Sequence, residues 1–286
     1  SRLTRTSGPA SPGRRIHAST QKCPSMRRIT TPKHPEGGYR PFADLITSDG
    51  YEITVNREPL SGKRLKAFAV LVIVNASVAP GADSALTDEE CDAVRDWVGG
   101  GGALLLITDQ SPFTAAVGRL SKRFEVDLAN GYVIETSAYN KESGDETELV
   151  FTRVDGLVVE HPITRGRDQT EQIKRIITFT GTSVKGPPKS VSFLKLAATA
   201  RDVLPPDPKL AASSDQPSDP KIVSAADRAQ GVALEFGEGR VVVLTDAAAL
   251  TAKIGSRGFR FGMNIPGSDN RQLALNIMHW LSGLLK

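Results

Sequence analysis

The chain has 286 residues, 39% hydrophobic and 24% charged, which excludes disorder and collagen-like repeats and gives enough apolar content for one large α/β domain or two small ones. Its longest apolar runs, 67–74 and 103–107, fall far short of the roughly 20 residues of a spanning helix, and two cysteines, Cys23 and Cys91, build neither a disulfide framework nor a Cys-x-x-Cys metal site. The net charge of +4 is unevenly held: residues 1–33 carry eight basic side chains and no acid, leaving 28 basic against 32 acidic residues beyond them. The bulk of the chain therefore lacks the electrostatic footprint of a specific nucleic-acid binder, and residues 1–33 read as a basic disordered tail, native or artificially appended.

Residues 34–286 read as a single α/β domain with an insertion at about 124–230. Residues 39–46 predict a short helix with Pro41 in its first turn and Phe42, Leu45 and Ile46 on one face. A strand follows at 51–55, then the apolar, β-branched run 67–74, whose continuity marks a strand covered on both faces. Thr87 and Glu90 form a capping box for a helix carrying Val94, Trp97 and Val98, ended by the glycines 99–102. The run 103–108 is a second buried strand, completing a right-handed βαβ unit. Ser111 as N-cap and Pro112 at the first helical position open another helix, with Phe113, Ala116, Val117 and Leu120 inward. Short β-like runs at 149–154, 173–180 and 191–197 fill the insertion, and the proline-rich stretch 204–220 predicts a mobile loop. Residues 231–236 and 240–245 form a hairpin across a Gly-Glu-Gly turn. An amphipathic helix at 269–285, with Leu273, Ile277, Trp280, Leu281 and Leu284 inward, closes the chain.

In an open parallel sheet, ligands bind beyond the carboxyl ends of the strands. Three such ends are polar: Asn75; the run Thr108, Asp109, Gln110 and Ser111; and Thr245 with Asp246. Asn264, Asp269 and Asn270 before the last helix join them as candidates. Each has a plainer reading, since Asp and Asn cap helices routinely. Ser111 sits at a strand-to-helix turn, where a nucleophile elbow would place its serine, but Asp109 and Phe113 stand where that elbow needs glycines. Of the four histidines, His161 precedes a proline-fixed turn that could deliver it and Arg165 to a pocket, although a histidine bonding its own loop is the preferred reading. No His-x-x-x-His or Glu-x-x-His spacing suggests a metal, and nothing requires a cofactor.

Several stretches resemble a known group. They are Gly38 through Leu45; Thr108-Asp109 with Pro112-Phe113; His161-Pro-Ile-Thr-Arg-Gly166; Gly239 through Asp246; and Asp269-Asn270 running on to Asn276, His279, Trp280 and Leu281. Together they resemble bacterial proteins of the class I glutamine amidotransferase-like superfamily, near its trehalose-utilisation-like and gliding-transport-like members, over roughly residues 34–286. The resemblance implies a flavodoxin-like, mainly parallel sheet with helices on both faces. It does not imply glutaminase chemistry, because Asp109-Gln110-Ser111 stands where amidotransferases carry a nucleophilic cysteine and Gln110 replaces the relatives' histidine. The relatives' first strand has no counterpart in 1–33.

Two functions compete. The first is a small hydrolase of an ester, amide or glycosidic bond, with Asp109 or Asp246 as general base and His161 or Ser111 assisting. Asn75, Gln110, Arg165, Asn264, Asp269 and Asn270 would bind its substrate. The second is a non-catalytic module holding a saccharide-like ligand or a partner in the same crevice. The small-molecule partner, oligomeric state and compartment, cytoplasmic or exported, stay open at the level of sequence.

Overall fold

The computed structural model describes residues 26–30, 38–79, 81–205, 219–255 and 258–286. Strand β1 (Met26–Thr30) is followed by helix α1 (Arg40–Ser48), β2 (Glu52–Val55), the single turn α2 (Gly62–Leu65) and β3 (Phe68–Val74). Helix α3 (Asp88–Gly99), β4 (Ala103–Ile107) and α4 (Phe113–Lys122) come next. The inserted region holds β5 (Asp127–Leu128), β6 (Tyr132–Ile134), β7 (Tyr139–Asn140), β8 (Asp145–Thr152), the turn α5 (Pro162–Arg165), β9 (Arg175–Ile177), β10 (Val184–Lys185), β11 (Val191–Lys195), β12 (Arg201–Leu204) and β13 (Lys221–Ser224). The chain ends through β14 (Ala229–Phe236), β15 (Gly239–Leu244) and α6 (Asn270–Leu281).

The central nine-stranded sheet runs β2-β1-β3-β4-β15-β14-β10-β5, with β11 also paired to β14. From β2 to β15 every pairing is parallel, and from β14 outward every pairing is antiparallel. The sheet is therefore mainly parallel where β3, β4 and β15 lie side by side, with antiparallel strands added at one edge. Residues alternate faces along a strand, so the apolar runs supply two cores. Val70 and Val72 with Leu105 and Val242 meet Phe42 and Ile46 of α1, Leu273 and Ile277 of α6, and Phe151 and Phe193 of the insertion. Leu71 and Ile73 with Leu104, Leu106, Val241 and Val243 meet Val94 and Val98 of α3 and Val117 and Leu120 of α4. Two three-stranded antiparallel sheets, β13-β12-β6 and β7-β8-β9, complete the insertion.

Three expectations change, and a fourth falls outside what the structure describes. Met26–Thr30, inside the stretch read as a tail, is a strand seated between β2 and β3. Its sequence, Met-Arg-Arg-Ile-Thr, has two adjacent cations and no apolar run, so hydrophobic patterning does not reveal it. Ser111 is not the N-cap of α4: the chain makes a turn closed by Phe113 N–H on the Gln110 carbonyl, and Pro112 occupies the cap position without a side-chain bond. Leu284 is 54% exposed because α6 stops at Leu281, so the helical face no longer carries it inward. Most of the stretch read as a mobile loop, 206–218, lies outside the described residues. The capping box at Thr87 is complete, Thr87 Oγ1 accepting from Glu90 N–H and Glu90 accepting from Thr87 N–H.

Candidate functional site

Parallel pairing brings the ends of β3, β4 and β15 to one edge of the sheet, and the polar residues that follow them meet there. Asn75 leaves β3 with φ +40°, a left-handed conformation that asparagine tolerates better than most residues. Its backbone N–H still bonds the Ile107 carbonyl, while its side-chain Nδ2 donates to Tyr39 Oη at 3.1 Å. Asp109 follows β4 and is half-buried, its Oδ1 accepting from the Gln110 N–H at 3.2 Å. With its amide nitrogen turned inward, the Gln110 side chain donates to Asp109 Oδ1 and to the Thr180 carbonyl, both at 2.7 Å. Thr180 has φ +59°, a costly conformation for a β-branched residue. Lys253 completes the group: a Cβ added to Gly38 would lie 2.5 Å from Lys253 Cε, so the lysine stem passes over that glycine, with its charge acting on Asp109.

Asp246 follows β15 and has no exposed surface. Its Oδ1 accepts from Ala249 N–H at 2.6 Å and its Oδ2 from Phe179 N–H. The carboxylate thus caps the 3-10 turn Ala248–Leu250 and ties it to the insertion. Gly181 allows this approach: a Cβ there would fall 2.6 Å from the Thr245 carbonyl oxygen and 2.8 Å from Asp246 Cβ.

Burial raises both acids. The Asp109 carboxyl is pushed up to about 6, against the pull of the Gln110 N–H, the Asn75 amide and the Lys253 ammonium. Burial lifts Asp246 well above the usual range, with the Asp109 charge adding to it and backbone N–H groups opposing. The two carboxyls act on each other, so one holds a proton more easily while the other is charged. Burial, then Asp109 and Asp246, push the Tyr39 hydroxyl up, keeping it a neutral hydroxyl.

The other candidates lie elsewhere or serve the scaffold. His161 caps α5, its Nδ1 accepting from Ile163 N–H at 3.2 Å, and meets the Trp280 ring edge-on at 4.9 Å. The Arg240 guanidinium lies 5.1 Å from that same ring. The His161 ring also stacks at 6.4 Å on Phe193, and no described contact links it to Asp109 or Asp246. Arg165 pairs with Glu160 at 3.6 Å and donates to the Lys286 carbonyl. Ser111 is exposed and lines a separate cavity with Asp127, Asp202 and Arg228. Asn264 donates to the Ala252 carbonyl at 2.6 Å, steadying the segment that bears Lys253. Asp269 accepts from the backbone of Lys174 and Arg175 at 2.7 and 2.9 Å. Asn270 is fully buried, accepting from Ile177 N–H and donating to the Ile177 and Ala249 carbonyls.

Burying carboxyls without a cationic partner is costly, which makes an arginine of a neighbouring loop, Arg165, Arg257 or Arg260, the natural candidate. Lys253 takes that place instead, because Arg165 is held at the C-terminus, Arg260 is exposed opposite Ile254, and Arg257 lies outside the described residues. Tyr39 and Lys253 are the residues that sequence reasoning missed. Gly38 before α1 was the available signal for a close approach at that point. Among the described residues no group of three or more His, Cys, Asp or Glu could hold a metal ion, and no helix is long and apolar enough to cross a membrane.

No protein-family model matches the chain, and no curated protein matches its sequence. Solved structures do match in fold. One described as the mmIFT52 N-terminal domain superposes with TM-score 0.61 at 12% identity, over 90% of this chain and 97% of that one. A cytoplasmic protein from Salmonella typhimurium LT2 superposes with TM-score 0.52 at 13% identity, over 90% and 99%. A glutamine amidotransferase from Thermotoga maritima aligns with TM-score 0.41 at 10% identity, over 80% and 77%. At these identities the first two matches establish likeness of fold alone.

Proposed function

We propose that this chain is a non-catalytic binding domain of the glutamine amidotransferase-like kind, holding a hydroxylated small molecule such as a saccharide at the carboxyl edge of its sheet. The observation that carries this reading is the burial of Asp246. A carboxyl with no exposed surface and backbone N–H groups on both oxygens does not reach a scissile bond, so the two-carboxyl division of acid and base loses one member. His161 Nδ1 is taken up by the Ile163 N–H with no described contact to either carboxyl, and no base bonds the exposed Ser111 hydroxyl among the described contacts. What remains is suited to binding. The Asp109 carboxylate accepts, the Gln110 amide and Lys253 ammonium donate, and Tyr39 and Asn75 do both, the Asn75 Oδ1 having no partner among the described residues. In fold the chain is similar to a structure that is itself described as an N-terminal domain.

A second reading is favoured by one observation. An acid raised to about 6 is poised for proton transfer near neutrality, so a hydrolase would use Asp109 alone as its general acid or base. Calorimetric titration with a panel of mono- and disaccharides, beside a chromogenic ester and glycoside screen, separates the two. Saturable binding without turnover, lost in Asp109→Asn, is expected. Turnover that Asp109→Asn abolishes overturns the binding-domain reading.

A further inference from the structure

A second polar cavity, with Ser111 on its rim, is lined by residues other than those of the Asp109 cluster. A cavity of about 580 Å³ opens between the edge of the main sheet (Asp127, Ala129, Asn130) and the strands β12 and β13 (Asp202, Leu204, Val223, Ser224), with Arg228 beside them. That volume falls within the range of small-molecule sites. Tyr39, Asn75, Asp109, Asp246 and Lys253 take no part in it.

Asp202 on the cavity wall is only 2% exposed. Its Oδ2 accepts the Ser183 hydroxyl at 2.7 Å and lies 3.7 Å from Arg228 Nε, while its Oδ1 has no partner among the described residues. An unpaired buried carboxylate oxygen is costly, which is why such groups are nearly always satisfied. Arg228 does not meet the need. Its Nε donates to Ser183 Oγ, its Nη1 to Asp127 Oδ2 at 2.6 Å, and its Nη2 to the Asp127 and Ser183 carbonyls. Two carboxylates thus face one guanidinium, leaving a surplus negative charge next to the orphaned acceptor. Two carboxylates, one already committed to Arg228, are too few for a divalent cation that wants six or more oxygens. An ammonium group matches both the charge and the missing donor, and Leu204, Val223 and Ala129 offer apolar surface for a short carbon chain.

We propose that this cavity binds a small aliphatic primary amine, its ammonium donating to Asp202 and its carbon chain lying along Leu204 and Val223. The test is calorimetric titration of the full chain with 1,4-diaminobutane, using 1,4-butanediol as a neutral look-alike. Saturable one-to-one binding of the diamine is expected, with none of the diol. Asp202→Asn should weaken it at least tenfold. Because that change alters a buried network, Ser224→Leu serves as the second variant: Ser224 is exposed, and a leucine there narrows the cavity while keeping the carboxylate. It should weaken binding to a similar degree with an unchanged melting temperature. Asp83→Asn, remote in the α3–α4 ion pairs, should leave binding intact. Absence of saturable binding, equal binding of the diol, binding undiminished in both cavity variants, or equal weakening by Asp83→Asn each overturns the assignment.

Discussion

Asp109 keeps its proton to about pH 6 because folding removes much of its water and returns only the Gln110 N–H, the Asn75 amide and a lysine in exchange. Its folded pKa stands above the unfolded one, so it costs nothing at pH values below about 4. Stability is lost as pH rises through 6, where the buried charge must be carried. Asp109→Asn should therefore stabilise the protein by about 3 kcal/mol at pH 7.5 and leave it nearly unchanged at pH 4, as read by urea unfolding at both values. Equal effects at the two pH values would show that burial of the charge is not the cause. His161 runs the other way. Burial, with Arg165 and Arg240 nearby, lowers it to about 4, and its Nδ1 must stay unprotonated to accept the Ile163 N–H. Its contribution is present above pH 6.5 and drains away as pH falls toward 4. Asparagine is a strong N-cap with no such titration, so His161→Asn should flatten the acid limb of the stability profile while changing stability at pH 7.5 by under about 1 kcal/mol. Asp109 and Asp246 were legible as candidates because residues just past buried strands have a predictable address. The burial that sets Asp246 apart was not legible, since it comes from Phe179 and Gly181, more than sixty residues earlier in the chain.

At the scale of elements, local signals succeeded where they were self-contained. Thr87 and Glu90 announce α3 by a reciprocal bond that needs no tertiary partner, and Thr87→Ala should cost about 1 kcal/mol in thermal or chemical unfolding. Strand β1 shows the limit of such signals. Met26-Arg-Arg-Ile-Thr30 resembles its basic surroundings, and only pairing with β2 on one side and β3 on the other makes it a strand. Removing residues 1–33 takes out an interior strand and leaves β3 with an unpaired edge, a template for association with other chains. The truncated chain should melt at least ten degrees lower or accumulate as aggregate, as differential scanning fluorimetry and light scattering would record. An unchanged melting temperature would mean that β1 contributes no pairing in solution.

Across the whole molecule, three parts distant in sequence converge behind the Asp109 cluster: the end of β15, the insertion at 177–182, and the start of α6. Asn270 joins them with one side chain. Its amide pairs with Ile177 through both N–H and carbonyl, as a neighbouring strand would, and also reaches the Ala249 carbonyl. Two residues beyond Ile177, Phe179 N–H holds Asp246, and Thr180 receives Gln110 beside Asp109. The insertion is thereby the back wall of the candidate site, which a reading of the parallel strands alone could not reveal. If Asn270 sets that wall, Asn270→Ala leaves the Ile177 N–H and carbonyl without their side-chain partners in a buried setting, at a cost of about 2 to 3 kcal/mol. The loss should be directional. Hydrogen exchange should quicken at Phe179 and Ala249, whose amides bond Asp246, while amides in β3 and β4 keep their protection relative to global unfolding. Uniform acceleration across the sheet would assign Asn270 to general stability and detach the insertion from the site.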